Sequence, residues 1–105
     1  MDKVFKALAD PSRRRLLDLL HADNGQTLGE LCAQVDMSRQ GVTQHLAVLE
    51  AGKLGAVQWS GGEKRHFLNV VPLHEIQDRW IQKFERDRLD ALSEFKRRLE
   101  SDGVD

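Results

Sequence analysis

The chain has 105 residues and a mass of 12.0 kDa, which is room for one domain. Its 40 % hydrophobic and 31 % charged residues exclude a disordered tail, and no run approaches the ~18 apolar residues of a membrane span, so no membrane partner is expected. The net charge of −1 argues against a uniformly basic nucleic-acid binder, but residues 38–71 set Arg39, Lys53, Lys64 and Arg65 against only Glu50 and Glu63, while residues 72–105 are acidic on balance.

Asp2 to Leu8 reads as a short helix with Val4, Phe5 and Leu8 on one side. Asp2, Lys3 and Lys6 interrupt any apolar run there, so the segment lacks the core of a signal peptide and a cytoplasmic protein is expected. Asp10-Pro11 is a helix start, with Asp10 as cap and Pro11 at the first helical position, where the missing N–H costs nothing. Leu16, Leu17, Leu19 and Leu20 follow at helical spacing, and Asn24-Gly25 ends the helix. Arg13, Arg14 and Arg15 oppose the dipole at the start of that helix, which predicts a structural use for at least one of them. Thr27 with Glu30 forms a capping box for a short helix whose apolar face is Leu28, Leu31, Cys32 and Val35. Cys32, the single cysteine, excludes an internal disulfide and is read as a small core residue. Ser38 caps the next helix, which runs to about Ala51 and is expected to stop at Gly52 in the left-handed conformation.

Beyond Gly52 the hydrophobic period changes. Leu54 to Trp59 reads as a strand, Gly61-Gly62 as a turn and His66 to Val71 as the returning strand. Pro72 closes the hairpin and opens a last helix over about Leu73 to Leu99, ~27 residues or ~40 Å at the helical rise. Leu73, Ile76, Trp80, Ile81, Phe84, Leu92, Phe95 and Leu99 give it a long apolar stripe. Glu75 with Arg79 and Glu94 with Arg98 are favourable pairs four apart, and residues 101–105 read as a frayed tail. A stripe of that length exceeds what one small subunit can bury, so part of it is expected to meet a second copy.

The order of elements is that of a mainly α protein with a small β-hairpin, in the layout of a winged helix-turn-helix. On the helix from Arg39 to Ala51, Val42, Leu46 and Leu49 share one narrow face, with His45 at its edge. Gln40, Thr43, Gln44 and Ala47 lie opposite, a short, polar, uncharged row that suits a major groove. Periodicity alone leaves a base-reading face and a merely solvated face equally open. The hairpin tip, Ser60-Gly61-Gly62-Glu63-Lys64-Arg65, adds cations on a flexible turn that suits a phosphate backbone or minor groove.

Residues 5–20, FKALADPSRRRLLDLL, resemble the opening of ArsR-family transcriptional repressors. Residues 38–52, SRQGVTQHLAVLEAG, resemble the recognition helix of that family, and His66-Phe67-Leu68-Asn69 resembles the end of its wing. The resemblance implies a single domain over residues 1–105, with the helix-turn-helix at 27–51, the wing at 54–71 and dimerisation helices at 1–9 and 73–100. It implies a homodimer that binds an inverted-repeat operator in double-stranded DNA and represses transcription. The implied DNA contacts are Gln40, Thr43 and Gln44 on bases, with Ser38, Arg39 and His45 nearby and Lys64 and Arg65 on the wing. The implied interface draws on Val4, Phe5, Leu8, Ile76, Trp80, Phe84, Leu92 and Phe95.

Two departures from the family bear on its metal chemistry. The stretch Glu30-Leu31-Cys32-Ala33-Gln34-Val35 offers one thiol where metal-sensing members pair two, with Gln34 in place of the second. In the last helix His74, beside Glu75 and Asp78, is the one histidine, so the family's paired histidines are missing. No metal and no cofactor are therefore expected, and an effector, if one exists, is of unknown chemistry. A winged-helix module for protein contact without DNA binding is the alternative that the near-neutral charge supports. An enzyme is not expected, because the sequence shows no nucleophile–base pair, no phosphate-cradling glycine loop and no metal-ligand cluster.

Overall fold

The computed structural model describes residues 1–102. They fall into two units, Met1–Pro72 and a second that begins at Leu73. The first holds α1 (Asp2–Leu8), α2 (Pro11–Ala22), β1 (Gln26–Thr27), α3 (Leu28–Cys32), α4 (Arg39–Ala51), β2 (Gly55–Ser60) and β3 (Glu63–Leu68). Helix α5 (Val71–Ile76) is followed by a π-helical stretch (Gln77–Gln82) and by α6 (Lys83–Asp102).

Seven residues are too few to form a stable helix by propensity alone, so α1 depends on packing and on its last turn being capped. Val4 and Ala7 of α1 are buried, and the basic run of α2 supplies the caps. Arg13 donates from Nε to the Ala7 carbonyl at 2.9 Å and from Nη2 to the Lys6 carbonyl at 2.9 Å, and Arg14 donates to the Leu8 carbonyl at 2.7 Å. Two arginines unfavourably placed for their own helix thus satisfy the C-terminal carbonyls of the preceding one, the structural use that their position implied. Asp10 caps α2 as expected, accepting from the backbone N–H of Ser12 and Arg13. Desolvation pushes its carboxyl up, but those two bonds and the Arg13 guanidinium outweigh that and hold it below its ordinary range.

The core of this unit is aliphatic. Leu16 and Leu20 of α2, Leu31 of α3, Val42 and Leu49 of α4, and Leu54 are its largest fully enclosed side chains. Gln26 and His66 are the buried polar exceptions among the described residues, and Gln26 is the more deeply enclosed. The Gln26 amide donates to the carbonyls of Leu19 and Asp23 at the end of α2 and its oxygen accepts from Gln34, so none of its polar atoms is stranded.

Gln26 also lies on β1, a two-residue strand where the sequence suggested only the helix cap Thr27. β1 pairs antiparallel with β3 (Gln26 with His66, Thr27 with Arg65), which makes the wing a three-stranded sheet in the order β1-β3-β2. The hairpin itself differs in extent from the expectation. β3 starts at Glu63, directly after a two-residue turn in which Gly61 and Gly62 both have positive φ, as a hairpin of right-handed twist demands. It ends at Leu68, because the Asn69 carboxamide accepts from the Val71 N–H and turns residues expected in the strand into a helix start.

Gly52 does not adopt the left-handed conformation expected of it. Its φ is −83°, and Lys53 takes the positive angle at +64°. Gly52 is needed for space: a Cβ there would stand 2.8 Å from the Lys3 carbonyl oxygen on the backbone of α1. The last helix departs too, starting at Val71, passing through the π-helical stretch and continuing through Asp102. Ser101 and Asp102 are helical where a frayed tail was expected, and the rest of that tail, residues 103–105, lies outside the described residues.

Gly52→Ala is expected to destabilise the protein by about 1–3 kcal/mol, the cost of forcing an extra methyl against packed backbone. A urea unfolding series checks this; an unchanged midpoint would show that α1 moves aside freely.

Candidate nucleic-acid interface

The starts of α3 and α4 are each set by a side-chain cap. Thr27 accepts from the Glu30 N–H at 3.2 Å, and Ser38 accepts from the Gly41 N–H at 3.0 Å. Glu30 sends its carboxylate toward Arg65, at 3.9 Å. On α4 the inner row is as expected, with Val42, Leu46 and Leu49 buried. Ser38, Arg39, Gln40, Thr43, Gln44 and Ala47 are all exposed. The structure therefore turns the uncharged row outward. The Thr43 hydroxyl donates back to the Arg39 carbonyl at 2.9 Å, which leaves its lone pair and methyl as the outward groups.

His45 is placed differently. It is half-buried, and its Nδ1 lies 3.3 Å from Nη1 of Arg13. Arginine can only donate, so this contact assigns the proton of a neutral imidazole to Nε2. The wing cations also separate. Arg65 is half-buried, donating to the Gly25 carbonyl at 2.9 Å and pairing with Glu63 at 2.9 Å. That pairing neutralises Glu63, the acidic residue at the tip. Lys64 is exposed, and among the described residues no carboxylate lies within ion-pair range of Lys64 or Arg39.

Between α4 and the wing lies an open cleft of about 480 Å³. Arg39, Thr43, Ala47 and Glu50 line it from the helix, and Lys64 and His66 from β3. His66, which sequence reasoning treated as part of a wing signature, is buried at its base, with Nδ1 3.8 Å from the Glu50 carboxylate. Burial pushes the His66 pKa below 6.5, Glu50 opposes this, and Lys64 adds to it. The residues that sequence reasoning missed, Gln26 and the Arg13–His45 contact, fasten the site from behind. The Arg13–His45 contact has no signal in local spacing because it joins residues 32 apart, and the Gln26 bonds, which reach residues three to eight positions away, follow no helix or strand period.

A helix-turn-helix domain family matches residues 8–54. The HTH-type transcriptional regulator YuzN of Bacillus subtilis is 34 % identical over 87 residues, 77 % of this chain and 95 % of the relative. The transcriptional repressor SdpR of the same organism is 30 % identical over 84 residues, 80 % of this chain and 91 % of the relative. An ArsR-like transcriptional regulator from Rhodococcus sp. RHA1 superposes with a TM-score of 0.71 at 27 % identity, covering 95 % of this chain and 90 % of that one. This chain belongs to the ArsR family of winged helix-turn-helix transcriptional regulators. It is a DNA-binding regulator, which decides against the alternative of a winged helix without DNA binding.

In this ArsR-family regulator the position that offered no second thiol has a structural occupant. The Gln34 amide donates to Gln26 at 2.6 Å and to the Glu30 carbonyl at 2.8 Å, beside a half-buried Cys32. Among the described residues no group of three or more His, Cys, Asp or Glu side chains is poised to hold a metal, and no helix is long and apolar enough to cross a membrane.

The buried imidazole makes stability depend on pH. Unfolded, His66 takes up its proton near 6.5; folded, it does so only at lower pH. The unfolded chain therefore binds more protons between those values, and stability falls as pH drops below 6.5 toward the folded-state pKa. Urea midpoints at pH 7.5 and pH 5 are expected to diverge less in His66→Gln than in the native chain. An equal divergence would show that His66 contributes nothing to the loss.

Proposed function

We propose that the protein is a homodimeric repressor that binds an inverted-repeat operator, with α4 of each subunit in a major groove. The observation that carries this reading is the split face of α4, an uncharged hydrogen-bonding row held outward by a fully apolar inner row. Gln40 and Gln44 present carboxamides that match the paired donor and acceptor of adenine, and Thr43 offers an acceptor and a methyl. Ser38 and Arg39, at the start of the helix, take the adjoining phosphates. His45, already engaged by Arg13, sets the angle of the helix and lies near the backbone. On the wing Lys64 is the principal phosphate contact. Arg65 reaches a phosphate only by giving up Gly25 or Glu63, so its larger effect is on the base of the hairpin.

Dimerisation is assigned to α1 and the C-terminal helical segment. Phe84, Leu92 and Phe95 are exposed within one chain, as are Phe5 and Trp80 to a smaller degree, while Leu8 and Ile76 are half-buried. Val4 is buried in its own subunit and supports the exposed side of α1 from beneath. Two subunits related by a two-fold axis would set two copies of α4 about one helical turn apart, ~34 Å, on the operator.

Selection of bound duplexes from a random pool is expected to return a two-fold sequence, and a pool with no enriched sequence would overturn the reading. On the selected duplex Gln44→Ala is expected to weaken binding by about ten-fold or more, with little change on a scrambled duplex, because a good base contact contributes ~1–3 kcal/mol of discrimination. Lys64→Ala is expected to weaken both duplexes alike and to lower the salt slope by about one for each subunit. Equal losses from both variants on both duplexes would count against a base-reading role for Gln44.

The paired substitution Phe84→Glu with Leu92→Glu is expected to give a monomer in sedimentation equilibrium and to abolish operator binding at concentrations where the native protein saturates it. A native protein that sediments as a monomer would remove the dimer from this reading.

A further inference from the structure

The largest apolar side chain on the wing is not buried by it. Trp59 is 68 % exposed, the highest exposure among the large hydrophobic residues of the described chain. The strand register shows where it stands. Trp59 pairs with Lys64 and Val57 pairs with His66, so these four side chains share one face of the hairpin. That face is turned toward α4, since His66 on it reaches Glu50 and Lys64 lines the cleft beside the recognition helix. The face is buried at its base and emerges at its tip as an indole beside an ammonium group with no carboxylate partner among the described residues.

We propose that Trp59 and Lys64 form a single wing contact in which the indole lies against the deoxyribose wall of the DNA minor groove while the ammonium group neutralises the adjoining phosphate. The occupant follows from chemistry. A duplex presents sugar C–H surface directly beside phosphate, and an apolar plane beside an unpaired cation is the complement of that surface. The indole N–H adds a donor for the acceptors on the groove floor or the phosphate. Continuity points the same way, because the face that carries Trp59 also borders the cleft lined by the outward residues of α4. A sugar contact is tolerant of sequence, so Trp59 adds affinity, and base discrimination stays with the row on α4. The inference rests on the DNA-binding reading above and adds to it a residue that neither motif nor composition marks.

The test compares the native protein with Trp59→Phe and Trp59→Ala, using fluorescence anisotropy of the selected duplex and of a scrambled one. Acrylamide quenching of tryptophan emission is measured in parallel. Replacing so exposed a side chain should leave the thermal unfolding of both variants close to native. Trp59→Ala is expected to weaken binding to both duplexes by about ten-fold, in the range of aromatic contacts to nucleic acid, and Trp59→Phe to restore it to within a few-fold of native. Saturating duplex should protect native emission from acrylamide, and that protection should vanish in Trp59→Phe although it still binds. Native affinity in Trp59→Ala, or no protection while anisotropy reports a bound duplex, would overturn the inference and leave the DNA-binding reading intact. Protection gained by raising protein concentration without DNA, seen in the native chain and absent from Trp59→Phe, which keeps Trp80, would overturn it in favour of a second copy over Trp59. A native protein that binds neither duplex would overturn both.

Discussion

The inner row of α4 determines what that helix can present. A helix advances about 100° per residue, so rotating α4 by one position would bring Val42, Leu46 or Leu49 toward water and carry a glutamine inward. Burying one such aliphatic side chain stabilises the fold by about 1.5–3 kcal/mol, and three together rival the whole stability of a small domain. The outward set of Gln40, Thr43, Gln44 and Ala47 is therefore fixed by the core beneath it. Any discrimination these residues achieve on DNA depends on that enforced orientation, because a base contact of ~1–3 kcal/mol survives only if the side chain does not have to be ordered at its expense.

Arg13 extends this constraint to the neighbouring helices. A cation in the first turn of α2 faces the positive end of the helix dipole, which is unfavourable by a few tenths of a kcal/mol or more. Its partners offset that cost. One guanidinium takes two carbonyls at the end of α1, stands 3.9 Å from the Asp10 carboxylate and meets His45 of α4 at 3.3 Å. Three helices thus share one planar donor. Lysine has no equivalent geometry for this task, since its ammonium group is a single point of charge. The approach of α1 to α4 is further tightened at Gly52, where backbone meets backbone with no room for a side chain.

What could be read from the sequence follows from how local each cause is. The starts of α2 and α4 were legible because their caps, Asp10 and Ser38, act within three residues. The glycine turn of the wing was legible because Gly61 and Gly62 set its backbone by themselves. The outward face of α4 was legible from period alone. By contrast, β1 is two residues long and exists through its pairing with β3, so nothing in Gln26-Thr27 announces it. The strand over His66 to Val71 was drawn too far because the Asn69 bond that ends it looks no different in sequence from other polar punctuation. Gly52 was correctly marked as special for the wrong reason, a left-handed angle in place of a close approach. Arg65 read as a free cation, and its hydrogen bond to Gly25 spans forty residues of chain.

The distribution of unpaired charge gives the proposed operator complex its character. Glu63 is neutralised by Arg65, and Arg65 is in turn spent on the wing base, so Lys64 and Arg39 are left near the recognition helix as cations without carboxylate partners among the described residues. A single subunit with so few phosphate contacts would bind DNA weakly and without preference. In the proposed homodimer two subunits on a two-fold site would double these contacts, and affinity for an operator over random DNA would arise there. The C-terminal segment fits the same division. Residues 72–105 carry more acidic than basic groups, which gives them no electrostatic attraction to a duplex, while Phe84, Leu92 and Phe95 expose the apolar surface that a second subunit would cover. Near-neutral overall charge is thus compatible with DNA binding, because the basic excess of residues 38–71 and the acidic excess of residues 72–105 fall on different stretches of the chain.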